Sequence, residues 1–114
     1  MADILLFVRD FELGTKLSEV FTDLGQSLLF TDENTDPNEF KDSAKMAIVD
    51  LDDPYFSSVG LIAELKRHDL KVVGFMNRVN QKDQNKIKKV GCEIILPRSS
   101  LVKNMPSLVK ELLD

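Results

Sequence analysis

Between Lys45 and Pro54 the chain reads Lys45-Met46-Ala47-Ile48-Val49-Asp50-Leu51-Asp52-Asp53-Pro54, an apolar run that stops abruptly in acid. A half-exposed strand alternates apolar and polar side chains. A strand that is apolar at successive positions has both faces covered, as in a parallel sheet sandwiched between helices. Shorter relatives of this run stand at residues 4–8, 27–30, 71–76 and 92–96. In an open α/β sheet, ligands and chemistry collect outside the carboxyl ends of the strands. Asp50, closing its apolar run, is therefore a carboxylate where function is usually built, and the other residues are read relative to it.

The stretches between the runs carry helical spacing. Leu13, Leu17, Val20, Phe21 and Leu24 share a face and predict a helix over 11–24, with Gly25 as its left-handed stop. Pro37 is placed to open a short helix around 38–42, although Phe40 is its only apolar anchor. Ser57 or Ser58 caps the next helix, whose inner face is Val59, Leu61, Ile62 and Leu65 and whose end lies near His68. Residues 81–90 make a basic, weakly amphipathic helix closed by Gly91. Leu101, Met105, Leu108, Val109 and Leu112 form one last face. Pro106 interrupts it, which predicts a turn at 99–103 and a main helix starting near Asn104. The order βαβαβαβαβα calls for a three-layer α/β sandwich of the flavodoxin-like (βα)5 type, with one parallel sheet in strand order 2-1-3-4-5.

Composition narrows the function classes. The chain has 114 residues, which suits a single domain over 1–114. The net charge of -4 argues against nucleic acid as a partner, although Lys82, Lys86, Lys88 and Lys89 make a local basic cluster. Cys92 is the only cysteine, so neither a disulfide nor a cysteine zinc site is available, and a cytoplasmic home is the simplest reading. No apolar run approaches the length of a membrane span. The glycines are scattered and form no phosphate-cradling loop.

In strand order 2-1-3-4-5 the ends of strands 1 and 3 lie side by side, so Asp10 and Asp50 converge although they are distant in sequence. Two carboxylates in one cleft can hold Mg²⁺ through oxygen ligands and retained waters. A carboxylate can also accept a phosphoryl group as an acyl-phosphate.

On these residues the chain resembles response-regulator receiver domains, of the chemotaxis-receiver type, over its whole length. Asp50, with Pro54 four residues on and Gly60 beyond, resembles the phospho-acceptor strand and its loop. Asp10 matches the second of the family's two acids after strand 1, Gly91-Cys92 resembles its Gly-Ala, and Arg98 holds the place of its lysine. Departures are as telling. Arg9 stands where the first acid belongs. Met76, beside Asn77 at the exit of strand 4, replaces the hydroxyl that meets the phosphate. Ser99 replaces the proline after the lysine, and Ile95 replaces an aromatic switch residue. The resemblance thus implies an atypical receiver, or pseudo-receiver. Its acidic pocket is Asp10 and Asp50, with Arg9, Met76, Asn77 and Arg98 around it. The resemblance further implies no enzymatic activity of its own, and no cofactor or only weakly bound Mg²⁺ on Asp10 and Asp50.

Structural roles compete at each position. Asp50 can stabilise the following loop, and Asp10 can cap the first helix. Asp52 and Asp53 read as solvated turn residues. Arg9 can fold over the pocket onto Asp50, and Arg98 can pair with Asp50, although a guanidinium is not equivalent to an ammonium. His68 reads as a surface residue at a helix C-terminus, Cys92 as buried packing, and the lysine cluster as a solvated face. Three functions follow. The leading one is a signalling module acting through protein contact with impaired phosphotransfer. As such it would be a stand-alone adaptor or a piece of a longer chain. Its partner would be a histidine kinase or a downstream signalling protein. Homodimerisation would run through the helix 81–90, the strand 92–96 and the helix 101–113, where Lys86, Lys89 and Arg98 lie. The second is a working receiver phosphorylated on Asp50 with Mg²⁺. The third is a flavodoxin-like binder of a small molecule, which lacks support because acidic, bulky Arg9-Asp10-Phe11-Glu12 fills the loop a flavin phosphate would need.

Overall fold

The computed structural model describes residues 3–31, 44–53, 59–77 and 81–113. Five strands are β1 (Ile4–Phe7), β2 (Leu28–Phe30), β3 (Met46–Asp50), β4 (Lys71–Met76) and β5 (Cys92–Pro97). Four helices are α1 (Phe11–Asp23), α2 (Val59–Arg67), α3 (Gln81–Lys89) and α4 (Leu101–Leu113), the last entered through a 3₁₀ turn at Arg98–Ser100. The short helix expected around 38–42 lies outside the described residues.

The five strands pair in parallel in the order β2-β1-β3-β4-β5, as the apolar runs require. β3 is buried at every position. Alternate side chains feed two cores. On one face Ile4, Leu6, Met46, Ile48, Val73 and Phe75 pack with Leu17 and Phe21 of α1 and with Leu101, Met105 and Leu108 of α4. On the other, Leu5, Phe7, Ala47, Val49, Val72, Met76 and Ile95 pack with Ile62 and Leu65 of α2 and with Ile87 of α3. The result is the three-layer sandwich expected from the sequence.

Both ends of α1 are set locally. Asp10 is its N-cap, with a side-chain oxygen accepting from the Leu13 N–H at 3.1 Å. At the other end Gly25 takes φ +75°; its N–H donates to the Thr22 carbonyl and the Gln26 N–H donates to that of Phe21. Those two bonds close the helix as a Schellman motif, which a left-handed glycine permits.

The start of α4 corrects the sequence reading. Helix begins at Leu101, not near Asn104, and Pro106 lies inside it. Burial decides this: Leu101, Met105, Leu108 and Val109 are all buried and need one continuous helix to share a face. The side-chain amide of Asn104 donates to the Ser100 carbonyl at 2.8 Å and helps seat the first turn. Pro106 leaves the Val102 carbonyl without its i+4 donor.

Candidate functional site

Register brings the carboxyl ends of the strands into line. Phe7 pairs with Val49, Asp50 with Phe75, and Phe75 with Leu96. Asp50 ends β3, Asp10 lies just past β1, Asn77 just past β4 and Arg98 just past β5, all on the same edge of the sheet. Asp10 and Asp50 therefore meet as expected, and Arg98 is brought to both.

The centre of the site is the Arg98 guanidinium. Its Nη1 donates to Asp50 Oδ2 at 3.3 Å, and its Nη2 donates to Asp10 Oδ2. Its Cζ stands 5.3 Å from the centroid of the Phe75 ring. That is within the range where a ring face attracts a cation. Arg98 comes from β5 and Asp10 follows β1, with β4 and β3 between them. Three strand spacings amount to about 14 Å, so a long side chain with a forked head is needed to make this bridge. A guanidinium presents several donors in one plane and can serve two carboxylates at once.

All four carboxylate oxygens of the pair have a donor. Asp10 gives Oδ1 to the Leu13 N–H and Oδ2 to Arg98. Asp50 gives Oδ1 to the Asp52 N–H at 3.0 Å and Oδ2 to Arg98. Asp50 is buried, 6% exposed, so its charge depends on these partners. The Leu13 N–H bond, followed by the bond from Arg98, holds the Asp10 carboxyl below its ordinary value. Burial alone would lower the Arg98 pKa, but the bonds to Asp10 and Asp50 outweigh it and raise it. Asp10 is the N-cap that the sequence allowed, and it is also an ion-pair partner of Arg98.

The remaining residues separate into those near this centre and those elsewhere. Arg9, expected over Asp50, pairs with Asp53, Nε to Oδ2 at 3.8 Å, and its side chain is half exposed. Asp53 is accordingly more than a solvated turn residue, and so is Asp52. Asp52 Oδ2 accepts from the Asn77 N–H at 2.6 Å and ties the exits of β3 and β4 together. Asn77 thus enters the site by its main chain. Met76 is buried at the end of β4 and belongs to the core under α2 and α3; a thioether has no proton to donate. Ile95 is buried in the same core. Arg98 is bonded to the two carboxylates, whereas Lys86 and Lys89 of α3 are exposed. His68 is half-buried, with Nε2 3.3 Å from Glu64 Oε1, and so is not the surface residue expected. Cys92 is buried packing. Phe75 as a platform for Arg98 is not read from the sequence, although an aromatic one residue before the end of β4 and an arginine leaving β5 are a signal the sequence contains.

Mg²⁺ does not fit the pocket in this arrangement. Mg²⁺ needs carboxylate charge and open oxygen positions. Here the Arg98 guanidinium already occupies one oxygen of each acid and offsets one of their two negative charges. Among the described residues no group of three His, Cys, Asp or Glu side chains is placed to hold a metal ion.

Neither a sequence-family model nor a curated relative matches the chain. Solved structures do. The chemotaxis protein CheY4 of Vibrio cholerae superposes with a TM-score of 0.81 at 12% identity, covering 98% of each chain. An orphan response regulator of H. pylori gives 0.80 at 13% identity, over 97% of this chain and 95% of that one. A response regulator from Thermotoga maritima gives 0.77 at 13% identity, over 96% and 95%. The chain has the receiver fold. No helix among the described residues is long and apolar enough to cross a membrane.

Proposed function

We propose that this chain is an atypical receiver domain, a signalling module that acts through protein contact and whose phosphotransfer chemistry is impaired. The observation that carries the reading is the Arg98 bridge between Asp10 and Asp50. In a receiver these acids gather a metal ion and present one oxygen to a phosphoryl donor. Here Asp50 Oδ2 is already bonded to a side chain of the protein.

The relay beyond the pocket is also altered. A phosphoryl group can shift a conformational equilibrium only through contacts that differ between two states. Met76 offers no donor to an anionic oxygen, and Ile95 replaces the aromatic that would follow it inward. The domain therefore presents a constitutive surface to a protein partner, a histidine kinase or a downstream signalling protein, or to a second copy of itself. We place that surface on α3, β5 and α4, where Lys86 and Lys89 stand exposed on an otherwise acidic molecule. Nucleic acid and membrane have no part in this reading, which puts the module in the cytoplasm without enzymatic activity of its own.

The test is addition of Mg²⁺ with beryllofluoride, a mimic of the acyl-phosphate, followed through amide shifts. The expected result is no saturable change across α3, β5 and α4. Broad saturable changes there would make the chain a working receiver phosphorylated on Asp50. Met76→Thr belongs beside it: switching restored in that variant alone assigns the loss to the missing hydroxyl.

A further inference from the structure

We infer that α3 is a docking surface for a second copy of this chain: the lysine stripe of α3 in one molecule seats on the acidic outer face of α1 in the next, so that copies associate head to tail. The inference rests on the reading of α3 as part of a constitutive surface, and it names the partner.

The charges are sorted by element. α3 carries Lys82, Lys86, Lys88 and Lys89 against one acid in its sequence, Asp83. At about 100° per residue, Lys82, Lys86 and Lys89 fall within an arc of about 60°. All three are exposed, and the buried Ile87 lies on the opposite side of the helix. Like charges three and four residues apart repel one another along a helix. α1 is the converse. Glu12, Glu19 and Asp23 are exposed and share an arc of about 40°. Glu12 pairs with Lys16 at 3.6 Å, but among the described residues neither Glu19 nor Asp23 makes an ion pair. Asp23 is the last residue of α1, and no basic side chain stands in that turn; α2, α3 and α4 each have one there. Acid at the negative end of a helix is unfavourable. Local helix stability therefore does not account for Glu19 and Asp23, and a cation from outside offsets them.

The fold keeps the two stripes apart within one molecule. α1 packs on the sheet face that includes Leu28 of β2, and α3 packs on the other face with Cys92 and Ile95 of β5. β2 and β5 are opposite edges of the sheet. A symmetric contact is disfavoured in either form, because α3 on α3 opposes lysines and α1 on α1 opposes carboxylates. α3 on α1 brings opposite charges together. Being heterologous, that contact repeats from copy to copy. The spacings suit one another: Glu19 and Asp23 are about 6 Å apart along their axis, as are Lys82 and Lys86, with Lys89 about 4.5 Å further on. Exposed pairs are individually weak and screened by salt, so the association is of low affinity and sensitive to ionic strength.

The test is sedimentation of the full chain over a range of protein and salt concentrations, with two surface variants. Wild type is expected to gain mass with concentration at about 10 mM salt. It returns to the monomer at about 1 M, where the Debye length has fallen from about 30 Å to about 3 Å. Lys86→Gln with Lys89→Gln, and Glu19→Gln with Asp23→Asn, are each expected to be monomeric alone. Their mixture keeps one intact α1 face and one intact α3 face, so the expected product is a 1:1 pair that grows no further. A wild type that stays monomeric at low salt overturns the inference and leaves α3 to another acidic partner. Self-association of the Glu19, Asp23 variant alone overturns it too, because the contact then does not use α1. A mixture that stays monomeric does the same. If a double variant does not fold, the single replacements Lys86→Gln and Asp23→Asn decide in its place: a lower mass than wild type at low salt supports the inference, and an unchanged mass overturns it. Switching of wild type with beryllofluoride sinks the functional reading, whereas a wild type that is monomeric at every salt concentration sinks only this one.

Discussion

At the scale of single residues, the molecule shows how burial and partners assign a role that residue type leaves open. Cys92 is the plainest instance. It is buried, and its thiol is pushed up from 9.0 to about 11, first by burial. The Sγ donates to the Ile94 carbonyl at 3.2 Å. A thiol held neutral is a poor nucleophile. Native protein at neutral pH should therefore resist thiol-modifying reagents and react fully only on unfolding; prompt modification of the native chain would contradict this. The pH dependence has a definite sign. The folded state favours the neutral thiol, so this contribution to stability is complete below 9.0, the unfolded value, and is lost as pH rises from there toward about 11. Cys92→Ser should flatten that alkaline fall. Arg9 and Arg98 make the complementary case. Both are arginines at strand exits, and from sequence either could have neutralised Asp50. Arg98 does so, and adds Asp10, because its fork reaches across β4 and β3 onto the face of Phe75; Arg9 pairs instead with Asp53.

At the scale of elements, the apolar runs predict strands almost to the residue: β1 and β3 are buried at every position, whereas the edge strand β2 is only partly covered. β4 spans 71–76 as expected; β1 and β2 are each one residue shorter than their runs and β5 is one longer. The beginning of α4 was not legible, because a rule about proline competed with a row of apolar side chains and lost. Gly74 shows how tightly the same elements are packed. A Cβ built there would lie 2.6 Å from Cδ1 of Leu51 and 3.3 Å from Sγ of Cys92. Leu51 is itself buried, so its side chain cannot simply swing into solvent. Gly74→Ala is expected to cost about 1–3 kcal/mol, measured as a fall in the urea midpoint; an unchanged midpoint would show slack between β3 and β4. Gly14→Ala is the fitting contrast. Its Cβ would meet the edge of the Phe30 ring at 2.7 Å, but that ring is 52% exposed and free to turn aside.

At the scale of the whole molecule, a single parallel sheet with a core on each face places every chemical group of interest on one edge. That edge was legible from the chain. The order of strands followed from the alternation of elements, and the convergence of Asp10 and Asp50 followed from the order. What was not legible was a distance: whether one side chain leaving β5 could touch acids on both β3 and β1. Twist, register and the stem of Arg98 settle that together, and none of them is written in a local motif. The bridge joins the connections after β1, β3 and β5, so it belongs to the architecture as much as to the site. A double-mutant cycle between Arg98→Met and Asp50→Asn, read by urea unfolding, tests it most directly. The expected result is a coupling of about 1–2 kcal/mol, because Arg98→Met strands a buried charge only while Asp50 keeps its own. Strict additivity, with each variant changing stability as if the other residue were unaltered, would contradict the account.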